Sequence, residues 1–352
     1  MKKLLIFNFV CCIFNLFVYA KPPIRVYIMA GQSNMSGTNN PLVNELPASL
    51  ASNVPNVLIK VNSYSVNCNW ESLRPGLGAT TANFGSELTF GRDELNVLQG
   101  LDTTIFGDKI AIIKYSYGGT TLDIDWRSPS SGGTVGWLYT GIINDINASL
   151  ISLDSMYDAQ IMGMCWMQGE YDALVDSEAV NYQTNLGNFI QDIRTDLNLP
   201  QMPFCIGMID NSPNWTYNAI VRQAEINVAK STAGVSIFDT YGLGTDGFHY
   251  NTSGQIELGH LFATALNSPV FCGTCIENTT KVWPIPSTGP LYVTSGIPTD
   301  YPYKITDIKG AEVQAGKLYI GCEVDISWLT PGTYFISFTT NEGTVVKKLL
   351  KI

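Results

Sequence analysis

The chain has 352 residues, of which 45% are hydrophobic and 14% are charged. This composition excludes an intrinsically disordered protein, and the length accommodates two domains. Acidic residues outnumber basic residues by 30 to 20, for a net charge of −10, so the surface would repel nucleic acids and anionic lipids. We therefore expect no nucleic-acid partner.

Residues 1–20 have the pattern of a cleavable signal peptide. MKKLLIFNFVCCIFNLFVYA contains two lysines, an apolar run and then small residues before the cleavage site, so Lys21 would begin the mature chain. A transmembrane anchor is the alternative, but Leu4–Ala20 spans only 17 residues and no second such run follows. Lipidation at Cys11 or Cys12 would leave too short an apolar region before the cysteine. We expect export without stable membrane insertion.

Apolar runs typical of buried strands recur through the next part of the chain. They cover residues 24–30, 57–61, 109–115, 160–167, 204–208 and 235–238. The stretches between them are long enough for helices, and apolar residues recur at steps of three and four over residues 177–197. A further helix is expected after Asn251, with Thr252 or Ser253 as its N-cap. This alternation predicts an α/β fold in which a parallel sheet lies between two layers of helices.

Polar segments follow four of the predicted strands. They are Gly31-Gln-Ser-Asn, Tyr117-Gly-Gly-Thr, Gln168-Gly-Glu-Tyr-Asp and Thr245-Asp-Gly-Phe-His. In a parallel sheet, loops at the carboxyl ends of the strands form the ligand-binding crevice. Ser33 stands where the first strand must turn, a position from which a hydroxyl can reach a substrate.

A serine nucleophile needs a base, and the mature chain has only two histidines. His260 falls in the middle of the last predicted helix, which favours an ordinary packed or surface residue. His249 falls in a loop, and Asp246 three residues before it has a spacing that lets the carboxylate orient the imidazole.

Acyl transfer also needs N–H donors for the developing oxyanion. The candidates are the backbone amides of Ser33 and of the Gly118-Gly119 pair, and the side-chain NH2 of Gln168. Each feature alone is equally typical of an ordinary turn or loop. Their occurrence at successive strand ends favours an active site.

The motifs GQSNM, GGT, WMQGEYD and DGFH, with the helix sequence GQIELGHLFATAL, resemble the SGNH hydrolase superfamily. More narrowly, they are similar to its acetylesterase branch, which includes carbohydrate esterase family 6 and the sialate O-acetylesterases. The resemblance runs from about Ile24 to Ala265 and implies a three-layer α/β/α, flavodoxin-like domain over residues 21–270. It implies hydrolysis of acetylated carbohydrates, such as acetylxylan or O-acetylated sialic acid, without a metal or an organic cofactor.

The resemblance also assigns roles to individual residues. Ser33 would attack the ester, His249 would accept its proton and Asp246 would hold the imidazole, while Glu170 competes with Asp246 as the acidic member. The oxyanion hole would contain the Ser33 and Gly119 amides and the Gln168 side chain, where the broader superfamily has an asparagine.

The neighbouring residues allow two interpretations. Gln32 and Asn34 would hydrogen-bond the turn and hold neighbouring loops, and both are also candidates for substrate binding. Asp172 would brace its loop rather than act on substrate. Four aromatic residues could form a sugar platform, although loop aromatics usually serve packing: Tyr117, Trp126, Trp137 and Trp215.

The last part of the chain differs from the rest in its residue pattern. Residues 271–280 are typical of a linker, and residues 281–352 consist of short β-type segments separated by glycines and prolines. VWPIPSTGPLYV, YKITDIKGAEV and the ending from Trp328 resemble the C-terminal sorting domain of the type IX secretion system of Bacteroidetes. Pro284-Ile-Pro replaces the usual PNP. The resemblance implies a small β-sandwich, the type IX machinery as a partner and a secreted or cell-surface location; a carbohydrate-binding or spacer module is the alternative.

Two other functions compete with the esterase. A glycosidase would use Glu170 with Asp172 or Asp246 as paired carboxylates, but it would leave Ser33 and His249 without a role. A non-catalytic carbohydrate-binding protein on the same scaffold would tolerate the loss of the serine or the histidine.

Overall fold

The computed structural model describes residues 21–101, 107–267, 281–283, 291–294, 301–318, 323–340 and 343–351. The predicted signal peptide and the predicted linker, residues 1–20 and 271–280, lie outside these ranges. Within them, every helix is too short or too polar to span a lipid bilayer.

A seven-stranded sheet forms the centre of the first unit. Its strands are β1 Pro23–Gly31, β2 Val54–Ser63, β3 Cys68–Leu73, β4 Ile110–Ser116, β5 Asp158–Met167, β6 Phe204–Gly207 and β7 Val235–Phe238. The order across the sheet is β3-β2-β4-β1-β5-β6-β7, and all neighbours are parallel except the β2–β3 pair. The six predicted strands are confirmed. The additional strand, β3, was not predicted because its sequence, CNWESL, is polar and only its last residue is buried.

Helices cover both faces of this sheet. They are α1 Ser33–Ser36, α2 Glu87–Gln99, α3 Trp137–Asp154, α4 Asp176–Asp196, α5 Asn218–Ser231 and α6 Thr252–Leu266. One hydrophobic cluster joins the sheet to α3, α4 and α5, and a second joins its other face to α2 and α6. All seven residues of β4 are buried, as expected for a strand covered on both faces. The three-layer α/β/α prediction is confirmed.

The cap of α6 differs from the prediction. The Asn251 side chain accepts the Gly254 amide, so Asn251 is the N-cap residue instead of Thr252 or Ser253. The Thr252 hydroxyl is engaged outside the helix, where it donates to Glu45 and accepts the Leu42 amide.

The strand order determines which loops meet at the carboxyl edge. The strands β4-β1-β5-β6-β7 follow the 2-1-3-4-5 order of a flavodoxin-like sheet, and the β2–β3 pair is added outside β4. Gly31 at the end of β1 pairs with Ser116 of β4 on one side and Met167 of β5 on the other. The residues after these three strands therefore emerge at one level, next to each other.

The C-terminal unit is all-β. β10 Tyr301–Asp307, β11 Glu312–Leu318, β13 Gly332–Thr340 and β14 Gly343–Lys351 form an antiparallel sheet, and β8 Lys281–Trp283, β9 Leu291–Thr294 and β12 Glu323–Val324 form another. A small hydrophobic cluster includes Ile305 and Ile336 from the first sheet and Val324 from the second. This arrangement agrees with the predicted all-β class of this unit.

Candidate active site

The turn after β1 presents Ser33 at the edge of the sheet. Gly31 has a φ of 150°, and a Cβ there would lie 1.9 Å from the Met167 carbonyl oxygen, so only glycine fits. The Gln32 amide then donates to the same carbonyl at 2.9 Å. Gly37, in the left-handed conformation, ends α1 and donates to the Ser33 carbonyl. The chain thus reverses within one helical turn and leaves Ser33 partly exposed while Gln32 and Asn34 are buried.

Loops after several strands surround one cavity of about 610 Å³. Ser33, Gly119 and His249 all line it, as does Gln32. The GGT loop contacts the serine directly, because a Cβ on Gly118 would lie 3.3 Å from the Ser33 Cβ. The structure therefore brings the predicted nucleophile, base and one predicted amide donor to the same space.

The histidine loop is held by Asp246 through its backbone. One Asp246 oxygen accepts the amides of Phe248 and His249, both at 2.8 Å, and the other accepts the side chain of Asn40. The contact of His249 Nδ1 is instead with Nδ2 of Asn39, at 3.3 Å. One Asp246 oxygen is thus engaged by the backbone that precedes the ring and the other by Asn40, and the role of Asp246 in orienting the imidazole stays a prediction.

Electrostatics nevertheless couple Asp246 to His249. Partial burial lowers the pKa of His249 below its ordinary value of 6.5, and the charge of Asp246 opposes this shift. For Asp246, partial burial raises the pKa, but hydrogen bonds from the two amides and from Asn40 outweigh it and hold the pKa below the ordinary value. At neutral pH the loop therefore contains an anionic carboxylate and a neutral imidazole.

Glu170 lies beneath this loop and does not line the cavity. Its Oε1 accepts from Asn34 Nδ2 at 2.6 Å, and its buried Oε2 has no hydrogen-bond partner among the described residues. Burial raises the pKa of Glu170 to about 7, despite the hydrogen bond from Asn34. Asn34 also donates to the Phe248 carbonyl and accepts the Tyr250 amide, both at 3.1 Å. Asn34 therefore joins the serine turn to the histidine loop, as expected of a residue that holds neighbouring loops, and its contact with substrate stays a prediction.

Gln168 is also buried away from the cavity. Its NH2 group donates to the Thr120 carbonyl at 3.0 Å, to Gln32 Oε1 at 3.2 Å and to Asp172 Oδ2 at 2.5 Å. An amide nitrogen with two hydrogens has no donor left for an oxyanion. The predicted oxyanion role of Gln168 thus conflicts with its contacts, and the side chain positions Gln32 instead.

Asp172 braces the loop, as the sequence indicates. Its carboxylate accepts the Leu122 and Asp123 amides at 3.0 and 3.1 Å in addition to Gln168. Burial raises the pKa of Asp172 to about 7, although these hydrogen bonds lower it. The buried carboxyl thereby connects the loops after β4 and β5.

A buried ion pair supports the serine turn from below. Lys114 Nζ of β4 donates to Glu87 Oε2 at 2.7 Å, to the Leu77 carbonyl and, at 3.1 Å, to the Ser36 carbonyl of α1. Both charged side chains are almost completely inaccessible to solvent. Nothing in the sequence pattern singled out this pair, because its members lie in different elements.

The aromatic candidates are in different environments. Trp126 is fully buried in the core, and Trp215 lines the cavity with its ring edge-on to Phe248. Trp137 is half exposed outside the cavity.

The second histidine, His260, pairs with Asp93 across α2 and α6 and is absent from the cavity lining. Among the described residues, no cluster of three histidine, cysteine or acidic side chains could hold a metal ion.

A parallel α/β/α sheet with a serine turn, a GGT loop and a histidine loop around one cavity defines an SGNH-type hydrolase. The sequence profile of the family described as carbohydrate esterase, sialic acid-specific acetylesterase matches residues 23–268, and the chain belongs to this family. Its activity is the O-deacetylation of carbohydrates. The profile of a secretion system C-terminal sorting domain matches residues 281–352 and indicates type IX secretion to the cell surface or beyond. Both resemblances are confirmed.

Individual relatives agree with this assignment. A probable carbohydrate esterase of Arabidopsis thaliana is 27% identical over 268 residues, which cover 71% of this chain and 93% of the relative. The crystal structure of an Arabidopsis thaliana protein shares 23% identity with a TM-score of 0.58 and covers 71% of this chain and 100% of its own. The crystal structure of NanS shares 15% identity with a TM-score of 0.51, over 70% of this chain and 97% of its own. These two structures share the fold.

Proposed function

We propose that the protein is a secreted serine esterase that removes O-acetyl groups from carbohydrate through an acyl-enzyme on Ser33. The observation that carries this proposal is the common cavity of Ser33, Gly119 and His249, which come from loops after three different strands. A hydroxyl, an imidazole and a backbone amide are the groups that acyl transfer by a serine requires.

The reaction has two halves. Ser33 Oγ attacks the acetyl carbonyl while His249 Nε2 accepts the hydroxyl proton, and the imidazolium then gives this proton to the departing sugar oxygen. A water molecule attacks the acetyl group on Ser33, again losing a proton to His249, and acetate leaves with regeneration of the serine. The neutral state of His249 at neutral pH is the state that such a base needs.

Asp246 is the acidic partner that the contacts favour over Glu170. The charge of Asp246 acts on the His249 ring, and its hydrogen bonds fix the backbone that carries the ring. Glu170 contacts Asn34 instead, so it positions the loop through a neighbouring side chain. Asn39 would help to orient the imidazole with its carboxamide turned so that Oδ1 accepts the Nδ1–H, which is the tautomer that leaves Nε2 free to accept a proton.

The oxyanion hole would consist of the Ser33 and Gly119 amides and the NH2 group of Gln32. Gln32 lines the cavity, and its oxygen accepts from Gln168, which leaves its nitrogen for the substrate side. Gln168 would then act by holding Gln32, while Gln32 takes the substrate contact expected from the sequence.

The rival functions find less support. Glu170 and Asp172 are both buried outside the cavity lining, where they could not reach a glycosidic bond. A carbohydrate-binding protein would have no need for the serine turn and the neutral histidine in one cavity. We also retain the proposed cleavage after residue 20, a catalytic domain over residues 21–270, a linker over residues 271–280 and the sorting domain over residues 281–352.

Replacement of the nucleophile tests the proposal. In Ser33→Ala, acetate release from acetylated xylan and from a chromogenic acetate ester should fall by about 10³-fold or more. The surface variant Ser231→Ala is the control and should keep the wild-type rate. Near-wild-type acetate release by Ser33→Ala would exclude a serine esterase and would favour one of the rival functions.

A further inference from the structure

Three aromatic rings form a continuous strip that begins at the catalytic cavity. The Tyr64 and Tyr117 ring centroids are 4.8 Å apart with the planes at 85°, and those of Tyr117 and Trp137 are 5.2 Å apart at 76°. We call these three residues the aromatic strip. Tyr64 is 64% exposed and Trp137 is 50% exposed, so both ends of the strip offer ring surface to solvent.

The rings of the strip are fixed by polar and aromatic contacts. The Tyr117 hydroxyl donates to Asn62 Oδ1 at 2.6 Å, and Trp137 Nε1 donates to Asp125 Oδ1 at 2.9 Å. Tyr117 also packs on Tyr115, with centroids 5.1 Å apart, and Tyr115 is buried in the core. Rings that are held in place before binding lose little conformational entropy when a ligand covers them.

The strip is continuous with the catalytic cavity. Tyr64 lines the cavity together with Ser33, whereas Trp137 lies outside the lining. A ligand bound over all three rings would therefore extend from the acetyl site toward the outer surface. An acetylated monosaccharide would fill only the inner part of this path, so contact with Trp137 would require a longer chain.

The chemistry of the lining indicates an uncharged ligand. The side chains of the cavity are hydroxyls, carboxamides, small apolar groups, aromatic rings and the imidazole of His249. The carboxylate of Asp125 lies at the outer end of the strip, where its Oδ1 accepts from Trp137 Nε1. This carboxylate would repel an anionic sugar, whereas the C–H faces of a neutral sugar pack well on aromatic rings.

We infer that the aromatic strip is a subsite for the sugar units that neighbour the acetylated unit in an uncharged polysaccharide chain. The inference rests on the proposed function, because it assigns the substrate class of the same site. It favours an acetylated neutral polymer over O-acetylated sialic acid, whose carboxylate would approach Asp125.

The test compares a polymer with a small substrate of the same chemistry. The variants are Tyr64→Ala and Trp137→Ala, and each is assayed on acetylated xylan and on acetylated xylose. We expect the ratio of kcat/KM on the polymer to kcat/KM on the monosaccharide to fall by about 10-fold in each variant, mainly through KM, as expected for a lost ring contact. Trp137→Phe should restore most of the ratio, because it keeps an aromatic ring.

A matched control and a third substrate complete the experiment. Ile151→Ala changes a residue that is 75% exposed on the same helix as Trp137, and its ratio should equal that of the wild type. The wild-type kcat/KM on O-acetylated sialic acid should be at least about 10-fold below that on acetylated xylan.

The outcomes separate this inference from the proposed function. An unchanged ratio in both Tyr64→Ala and Trp137→Ala, or a preference for the sialic acid ester, would overturn the subsite while leaving the serine esterase intact. Equal losses on polymer and monosaccharide would assign the strip to packing and would overturn the subsite as well. Failure of the proposed function would instead appear as normal acetate release by Ser33→Ala on every substrate.

Discussion

The loops after β5 and β7 are both short polar segments at the same edge of the sheet, yet they differ in their exposure. In the first, Glu170 and Asp172 are buried, and burial raises the pKa of each to about 7. In the second, Asp246 is near solvent, and backbone and Asn40 hydrogen bonds overcome the effect of its slight burial and hold its pKa low. His249 beside it lines the cavity.

The difference shows that a polar motif at a strand end can either support the neighbouring loops or supply reactive groups. A buried carboxyl with a raised pKa is stable mainly in its protonated form and can serve as a hydrogen-bonding brace. A carboxylate near solvent remains charged and can influence a neighbouring base. By this criterion, the loop after β5 is a support of the cavity, and the proposed function assigns the chemistry to the loop after β7.

The largest effect should come from the base of the loop after β7. In His249→Ala, kcat/KM on a chromogenic acetate ester should fall by about 10³-fold or more, because no other described imidazole lines the cavity. His260→Ala is the control: that histidine pairs with Asp93 on the helices, so its removal should leave the rate near that of the wild type. Comparable losses in both variants would contradict the assignment of the base.

A smaller effect should follow from removing the charge of Asp246. Asp246→Asn keeps an oxygen for the Phe248 and His249 amides but loses the negative charge, so kcat should fall by roughly 10- to 100-fold. In the wild type, the midpoint of the acid limb of kcat/KM should lie below the ordinary histidine pKa of 6.5, because partial burial lowers the pKa of His249. Loss of the charge that raises this pKa should move the limb to still lower pH.

Glu170→Gln provides the comparison for that pH profile. Glu170 is not among the groups that shift the pKa of His249. The acid limb of the kcat/KM profile of Glu170→Gln should therefore coincide with that of the wild type. If Glu170→Gln shifted the acid limb of kcat/KM and Asp246→Asn did not, Glu170 would be the acidic partner of His249. The distinction drawn between the loops after β5 and β7 would then be wrong.

The smallest effect on activity should be that of Glu170→Gln, whose main consequence is on stability. The folded pKa of about 7 lies above the ordinary value of 4.5, so the wild-type free energy of unfolding decreases as pH rises through this interval. The loss amounts to about 3 kcal/mol above pH 7. The neutral glutamine keeps the acceptor for Asn34 and removes the contribution of Glu170, so the decrease between pH 5 and pH 8 in urea unfolding should be smaller than in the wild type, while Asp172 keeps its own contribution.

Asp108→Asn, at an exposed position just before β4, serves as the stability control and should retain the wild-type pH dependence. An equal decrease with pH in the wild type and in Glu170→Gln would indicate that Glu170 is already charged in the folded protein, in which case the loop after β5 would not be a neutral brace.

The sequence predicted the fold and the identity of the cavity residues better than it predicted their contacts. Strands such as β4 are recognisable because burial on both faces leaves a continuous apolar run. The rule for parallel sheets then brings Ser33, Gly119 and His249 together. By contrast, the partners of Asn34, Gln168 and Asp246 depend on side-chain directions in loops up to about two hundred residues apart. Spacing along the chain contains no information on those directions.

The buried pair of Lys114 and Glu87 has a consequence for how such sequences can diverge. Loss of either partner alone would leave an unpaired buried charge beneath the serine turn. The free energy of unfolding would fall by roughly 3–5 kcal/mol, a large part of the stability of an ordinary domain. Replacement of both by apolar residues would avoid the unpaired charge but would leave the Ser36 and Leu77 carbonyls without this donor. Across homologues, we therefore expect positions 87 and 114 to be substituted together or to be conserved together. The two positions should covary for this reason.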